Sequence, residues 1–131
     1  MTLQEKQTEF IELFNSLESW PDRFQFLIDI APDLPELPEH KRDSSTQIMS
    51  CNSRTYFLAT IAFSKVSIQG WSNAVIPSGL IALINYLFNG FPVEELRSSK
   101  IDFHLRTDLI NNLTEQRKSG LLEMINRVIR L

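Results

Sequence analysis

The chain has one cysteine, Cys51, and two histidines, His40 and His104. A cysteine thiolate is the strongest nucleophile a side chain offers near neutral pH, so Cys51 is the first residue to weigh. It lies in the stretch Gln47-Ile48-Met49-Ser50-Cys51-Asn52-Ser53-Arg54-Thr55-Tyr56-Phe57. Small polar residues surround it, Ser50, Asn52 and Ser53, with Ser45 further back, and a β-rich run follows. Two readings are open. A free cysteine is commonly a small buried hydrophobe, whereas one at the tip of a polar turn leading into a strand is placed to be presented.

Other chemistries find few residues to use. A single cysteine forms no intrachain disulfide, and a thiolate-only zinc or iron–sulfur site within one subunit needs several. Neither histidine has a CxxC or HxxxH neighbour, so both read as surface or capping residues, and no resident metal is expected. A Cys/His thiol enzyme needs a base near Cys51. His40 lies in a connector and His104 in a helical turn far along the chain, which leaves that reading as a rival for geometry to decide.

Composition narrows the class further. Thirteen basic residues against sixteen acidic ones give a net charge of -3, without the basic face that nucleic-acid binding usually shows. No run approaches the roughly 20 apolar residues of a membrane span. The start, Met1-Thr2-Leu3-Gln4-Glu5-Lys6, lacks the basic-then-apolar order of a secretion signal, so a cytoplasmic location is the expectation.

The elements that must hold Cys51 follow from periodicity. Leu3 to Leu17 reads as a helix with Phe10, Leu13, Phe14 and Leu17 on its apolar face. Ser19 is an N-cap candidate for a second helix, with Pro21 in its first turn and Phe24, Leu27, Ile28 and Ile30 inward. A proline- and charge-rich connector follows from Pro32 to Ser45, pinned by Leu34 and Leu37. Thr55 to Phe63 and Val66 to Trp71 read as a β-hairpin turning at Ser64-Lys65, and Gln47 to Cys51 as a third, shorter strand.

Helical spacing returns at Val75, Ile76, Leu80, Leu83, Ile84, Leu87 and Phe88, ended by Asn89-Gly90. Pro92 opens a short acidic-started helix, and Asp102 is placed to cap a turn holding Phe103 and Leu105. Thr114 is an N-cap candidate for a last helix that turns Leu121, Met124, Ile125, Val128 and Ile129 inward. Helices, then an antiparallel sheet of about three strands, then helices indicate an α+β fold, and 131 residues suit a single domain, 1–131.

Trp20 to Phe24, Leu34 to Pro38, Ser50 to Ser53, Ser72 to Leu83, Gly90 to Glu95 and Leu113 to Leu121, taken together, resemble the SufE family of sulfur-acceptor proteins. Trp20-Pro21-Asp22-Arg23-Phe24 is similar to its W-x-x-R-aromatic opening, and Leu34-Pro35-Glu36-Leu37-Pro38 to its L-P-x-L segment. Ser50-Cys51-Asn52-Ser53 sits where the family carries G-C-x-S. Ser72-Asn73-Ala74-Val75-Ile76 and Gly79-Leu80-Ile81-Ala82-Leu83 resemble S-D-A-x-I-x-x-G-L-I-A-L. Gly90-Phe91-Pro92-Val93-Glu94-Glu95 resembles G-x-T-P-E-E, and Leu113 to Leu121 resembles L-x-x-S-R-x-x-G-L. The likeness runs from Trp20 to Ile129. It departs at Ser50, where the family has glycine, at Thr55-Tyr56, where it has Val-Trp, and at Asn73, where it has aspartate.

The resemblance implies a SufE/IscU-like fold and a sulfur carrier. Cys51 would accept persulfide sulfur from a SufS-type cysteine desulfurase, stimulate that enzyme, and pass sulfur to iron–sulfur scaffolds. It implies no resident cofactor: the persulfide is transient and the pyridoxal phosphate belongs to the desulfurase. Arg117 is the cation the pattern favours near the thiol, with ion pairing to Glu115 or Glu94 as the other use of that side chain. The implied docking surface joins Arg23, Ser50, Asn52, Ser53 and Asn73 to the cysteine loop, for a monomer or homodimer. The other reading of the resemblance is a module that binds and regulates a desulfurase or other partner without carrying sulfur. A cluster scaffold fails on ligand count, one cysteine per chain. A carrier also needs shelter for its cargo, so the sulfur is expected to face an apolar pocket until a partner turns it outward. Trp20 and Trp71 are expected to serve core packing.

Overall fold

A computed structural model describes residues 1–131. Helix α1 (Leu3–Ser16) begins with a reciprocal cap: the Thr2 hydroxyl accepts from the Glu5 amide, and the Glu5 carboxylate accepts from the Thr2 amide. Its buried stripe runs through Leu3, Gln7, Phe10, Ile11 and Phe14. That path leaves Leu13 at the rim, 44% exposed, although spacing alone places it inward. Gln7 is buried because its amide donates to the Lys100 carbonyl at 2.9 Å and its oxygen accepts from the Asp102 amide at 3.2 Å.

Helix α2 (Trp20–Ile30) is capped by Ser19 and carries Pro21 in its first turn, as the sequence suggests. Leu27 is its one fully buried residue, and the expected stripe is narrower than predicted, with Ile28 at the surface. The connector then turns through two short 3-10 segments, Ala31–Asp33 and Glu39–Lys41. Leu37 is buried, and its amide donates to the Gly70 carbonyl while the Gly70 amide donates to the Pro35 carbonyl. The connector thus closes one edge of the sheet.

The sheet is two-stranded, β1 (Thr55–Ala62) against β2 (Lys65–Ser72), in register from Thr55 opposite Ser72 to Ala62 opposite Lys65. The expected third strand at Gln47 to Cys51 is reduced to a single antiparallel bridge, Gln47 to Tyr56. Only the Ile48 amide to Thr55 and the Phe57 amide to Thr46 complete its ladder, because the chain bends away at Met49 into the cysteine loop. The hairpin turn falls at Phe63-Ser64, one residue earlier than predicted, and both residues have positive φ, 52° and 65°. That is the geometry of a tight two-residue hairpin connection, which favours Asn and Gly, so the sequence signal there is weak.

Helix α3 (Val75–Phe88) is the central element, buried from Leu80 to Ile84 and again at Leu87 and Phe88. It packs on β2 on one side and α2 on the other. At Gly79 a Cβ would lie 2.8 Å from the Leu27 carbonyl carbon, so the two helices meet backbone to backbone. Gly90, at φ 85°, ends the segment after α3 in a conformation that suits glycine. Short helices α4 (Val93–Ser98) and α5 (Phe103–Arg106) lead to α6 (Glu115–Ile129). Asp102 precedes α5 but its side chain makes no capping bond. Phe10, Phe14, Phe88 and Phe103 meet at one end of the core, with ring centroids 5.1 to 6.1 Å apart. No helix is long and apolar enough to cross a membrane.

Candidate functional site

Cys51 stands on the loop between the Gln47 bridge and β1. The loop is closed at its base by the Ile48 amide donating to Thr55 at 2.8 Å, and tightened by the Cys51 amide donating to Ile48 at 3.3 Å. Behind it runs α6, with Gly120 facing the loop. A Cβ at Gly120 would collide with Cys51 Sγ, so the sulfur rests on bare helix backbone, with Ile48 and Ser50 beside it. The thiol is half-buried. In front opens a cavity of about 240 Å³ lined by Cys51, Asn52, Ser53, Ala74, Pro77, Thr114, Gln116 and Arg117. The walls are more polar than expected: Ala74 and Pro77 are apolar, and the shelter for the sulfur comes from Gly120 and Ile48.

Capping explains how Arg117 reaches this place. The Thr114 hydroxyl accepts from the Arg117 amide, fixing the first turn of α6 at the cavity rim. The ion-pair alternatives do not form: Glu94 is held by Arg97, and Arg117 makes no salt bridge. Burial pushes the Cys51 thiol up from its ordinary value, and the Glu123 carboxylate adds to that. The nearby Thr55 hydroxyl and the charge of Arg117 pull it the other way, less strongly in sum. The resting thiol is therefore protonated and a poor nucleophile.

The other predicted site residues divide. Asn52 and Ser53 join Cys51 and Arg117 at the cavity. Ser53 is tied through its hydroxyl to Thr55, which in turn bonds Ser72, both at 2.9 Å. Asn73 lies at the next cavity along, with Ile28, Pro32 and Val75, and braces the loop's far end. Its Oδ1 accepts from the Arg54 amide at 3.0 Å and its own amide donates to the Arg54 carbonyl at 3.1 Å. Ser50 points away from the cavity and donates to Glu123 Oε1 at 3.1 Å. Its φ is not positive, so the residue in the family's glycine position carries no backbone strain.

Arg23 is not brought to the thiol. It stacks 4.8 Å from the Trp20 ring and donates to the Phe14 and Asn15 carbonyls, closing the C-terminus of α1. Trp20 packs on Phe14 and Phe24, while Trp71 is half-buried with Arg42 and Arg54 over its ring at 4.4 and 5.5 Å. Neither histidine lines the Cys51 cavity. His40 is exposed on its 3-10 turn, and His104 is buried beside Phe103 with Nδ1 unpartnered. The Cys/His rival therefore has no base in place.

Sequence reasoning missed Thr55, Gln116 and Glu123, and took Gly120 only as a motif letter. Gly120 had a signal: a glycine inside a helix costs about 1 kcal/mol against alanine, which asks for a reason such as close approach. Glu123 had none, since its partner is 73 residues away.

A lone thiol on a braced loop, half-sheltered by a helix and flanked by one arginine, defines a thiol-presenting module on an α+β scaffold. The profile of the SufE family, described as an Fe-S metabolism associated domain, matches residues 8–131, and the chain belongs to that family. Uncharacterised SufE-like proteins of Rhizobium etli and Rhizobium meliloti are each 30% identical to it over 125 residues, covering 92% of this chain and 84% and 89% of theirs. The cysteine desulfuration protein SufE of Wigglesworthia glossinidia brevipalpis is 30% identical over 118 residues, 88% of this chain and 82% of its own. The solution structure of a hypothetical protein from Thermus thermophilus shares the fold, with TM-score 0.71 at 20% identity over 95% of this chain and 94% of that one.

Proposed function

We propose that this protein is a sulfur acceptor and carrier that takes sulfane sulfur from a cysteine desulfurase onto Cys51 and passes it on for iron–sulfur cluster assembly. The observation that carries the reading is the placement of Cys51 Sγ on Gly120 at the mouth of a cavity that Arg117 lines. Membership of a family associated with Fe–S metabolism supports it, as does a relative named for cysteine desulfuration. The single free thiol suits the reducing cytosol, where disulfides do not persist.

The transfer is an exchange at sulfur. The Cys51 thiolate attacks the terminal sulfur of the desulfurase persulfide, one S–S bond forms on Cys51, and the desulfurase S–S bond breaks to leave its cysteine thiolate. No net oxidation occurs. The thiolate is the attacking form, so its raised pKa must be relieved at the moment of transfer. Docking that draws Cys51 off Gly120 removes the burial that contributes most to the shift, and Arg117 then favours the anion. Asn52 and Ser53 supply polar contacts at the same rim for the partner's surface, and Asn73 holds the loop's far end. The desulfurase, of SufS type on this reading, brings its own pyridoxal phosphate.

The test is intact-mass analysis after mixing the protein with a cysteine desulfurase and cysteine. One added sulfur atom, lost on reduction and absent from Cys51→Ser, is expected. No adduct on the wild type, together with faster desulfurase turnover, would instead establish a regulator that carries nothing. An adduct surviving in Cys51→Ser would overturn the site.

A further inference from the structure

Ser50 and Glu123 make a contact that neither the transfer chemistry nor the cavity requires. Ser50 adjoins the nucleophile on the loop, yet its hydroxyl turns back to donate to Glu123 Oε1 at 3.1 Å on α6. Glu123 is itself fixed: Arg127 donates to its Oε2 at 2.8 Å. Arg127 also donates to the carbonyls of Gln47 at 3.0 Å and of Ser45 and Phe57 at 3.4 Å. The acceptor is thus anchored to the sheet edge that launches the loop, and Gly120 lies on α6 between Glu123 and Arg117. The same carboxylate disfavours ionisation of the sulfur.

We propose that the Ser50–Glu123 contact is a latch that holds the cysteine loop inward and restrains the thiol until a partner displaces it, an inference that rests on the carrier reading. Ser50 and Glu123 are positioning residues; neither touches the transferred sulfur. Holding the loop down keeps Cys51 on Gly120, where burial keeps it protonated, and Glu123 repels the thiolate directly. A charge-assisted bond at a part-buried site suits a latch: it holds a short loop but yields to an interface that offers better contacts. The charged groups acting on the sulfur are Glu123 and Arg117, both from α6. Thr55 from β1 and Ala74 and Pro77 at the head of α3 face the same space without charge.

The experiment uses iodoacetamide and no desulfurase, so it reads the loop whether or not sulfur is ever carried. Alkylation of Cys51 is followed by intact mass from about pH 6 to about pH 10, either side of the thiol's ordinary range. Ser50→Ala removes the donor and is expected to raise the rate at least about tenfold, the usual worth of one bond to a charged group. Ser50→Thr keeps a hydroxyl and stays close to wild type. Glu123→Gln keeps an acceptor for Ser50 and Arg127 but loses the charge, so its midpoint shifts to lower pH. Thermal unfolding is recorded alongside. A Ser50→Ala rate equal to wild type, a Ser50→Thr rate equal to that of Ser50→Ala, an unmoved midpoint in Glu123→Gln, or rates that simply follow lost thermal stability would each overturn the latch. If these outcomes hold but no persulfide forms with a desulfurase, the latch stands and the carrier reading falls.

Discussion

Gly120→Ala tests the central geometry with one methyl group. The added Cβ would occupy the place of Cys51 Sγ, with Ile48 Cγ2 3.6 Å and Ser50 Oγ 4.0 Å away. Either α6 or the loop must give. The helix is committed to the core through Leu121, Met124, Ile125 and Val128, each nearly fully buried, whereas the loop has exposed Met49 and Asn52 around the cysteine. The loop yields.

The magnitudes can be set against each other. Overpacking of this kind costs about 1–3 kcal/mol, and replacing glycine by alanine inside a helix returns about 1 kcal/mol. The net loss of about 1 kcal/mol lowers the melting temperature by about 4 °C in a domain of this size. The thiol responds more strongly, because a clash of about 2 kcal/mol borne by the inward loop alone shifts the inward–outward balance about 30-fold. Iodoacetamide should therefore label Gly120→Ala at least about tenfold faster than wild type. Gly79→Ala is the control. There the Cβ meets Leu27 backbone, which has no loop to yield, so stability falls by about 2 kcal/mol, the upper end of overpacking less the helix gain, while folded protein is labelled at the wild-type rate. A Gly120→Ala protein that melts higher than wild type, from helix propensity alone, with unchanged labelling would refute the placement of the sulfur on α6.

Two further outcomes check other parts of the fold. Phe63 is 99% exposed at φ 52°, a conformation that costs a bulky residue about 1 kcal/mol and that asparagine adopts readily. Phe63→Asn should raise the melting temperature by about 4 °C, measured by calorimetry, with no change in thiol labelling. Burial holds His104 below its ordinary value of 6.5, with Asp102 opposing weakly. Between the two values the unfolded state binds more protons. The stability this group contributes is thus complete above about pH 6.5 and is lost as the pH falls through the folded value. Thermal scans from about pH 7 to about pH 5 should show a slope that flattens in His104→Leu; an identical slope would show that another group titrates.

What could be seen in the sequence was local. The 3.6-residue spacing through Leu80, Leu83, Ile84, Leu87 and Phe88 marks α3, and Thr114 with Leu121, Met124, Ile125 and Val128 marks α6, because buried stripes and side-chain caps are written in short windows. Cys51 stood out because it is the only thiol. Leu13 and Ile28 were misplaced because their burial depends on which neighbours cover each helix, not on spacing. The third strand was overread for a similar reason: Gln47 to Cys51 has strand-like residues, but the chain leaves the ladder after Ile48. The partners of the thiol lie about 70 residues away on α6, where a glycine and a glutamate have no periodic signature.

Two departures from the family pattern, at Asn73 and Ser50, have separate physical meanings. Asn73 leaves the loop's brace intact, since the bond to the Arg54 amide needs only an acceptor oxygen and the side-chain amide supplies one. What is absent at that position is charge. Ser50 needs no glycine-like backbone, so its cost is nil, and its hydroxyl adds a tie to α6 that glycine could not make. The acid that acts on Cys51 accordingly comes from Glu123, one turn beyond Gly120 on α6. The carboxylate that raises the Cys51 pKa and the guanidinium that lowers it then sit on a single helix. Under the proposed latch, a partner that lifts the loop off α6 would separate Cys51 from Glu123 and from the backbone that buries it in one motion.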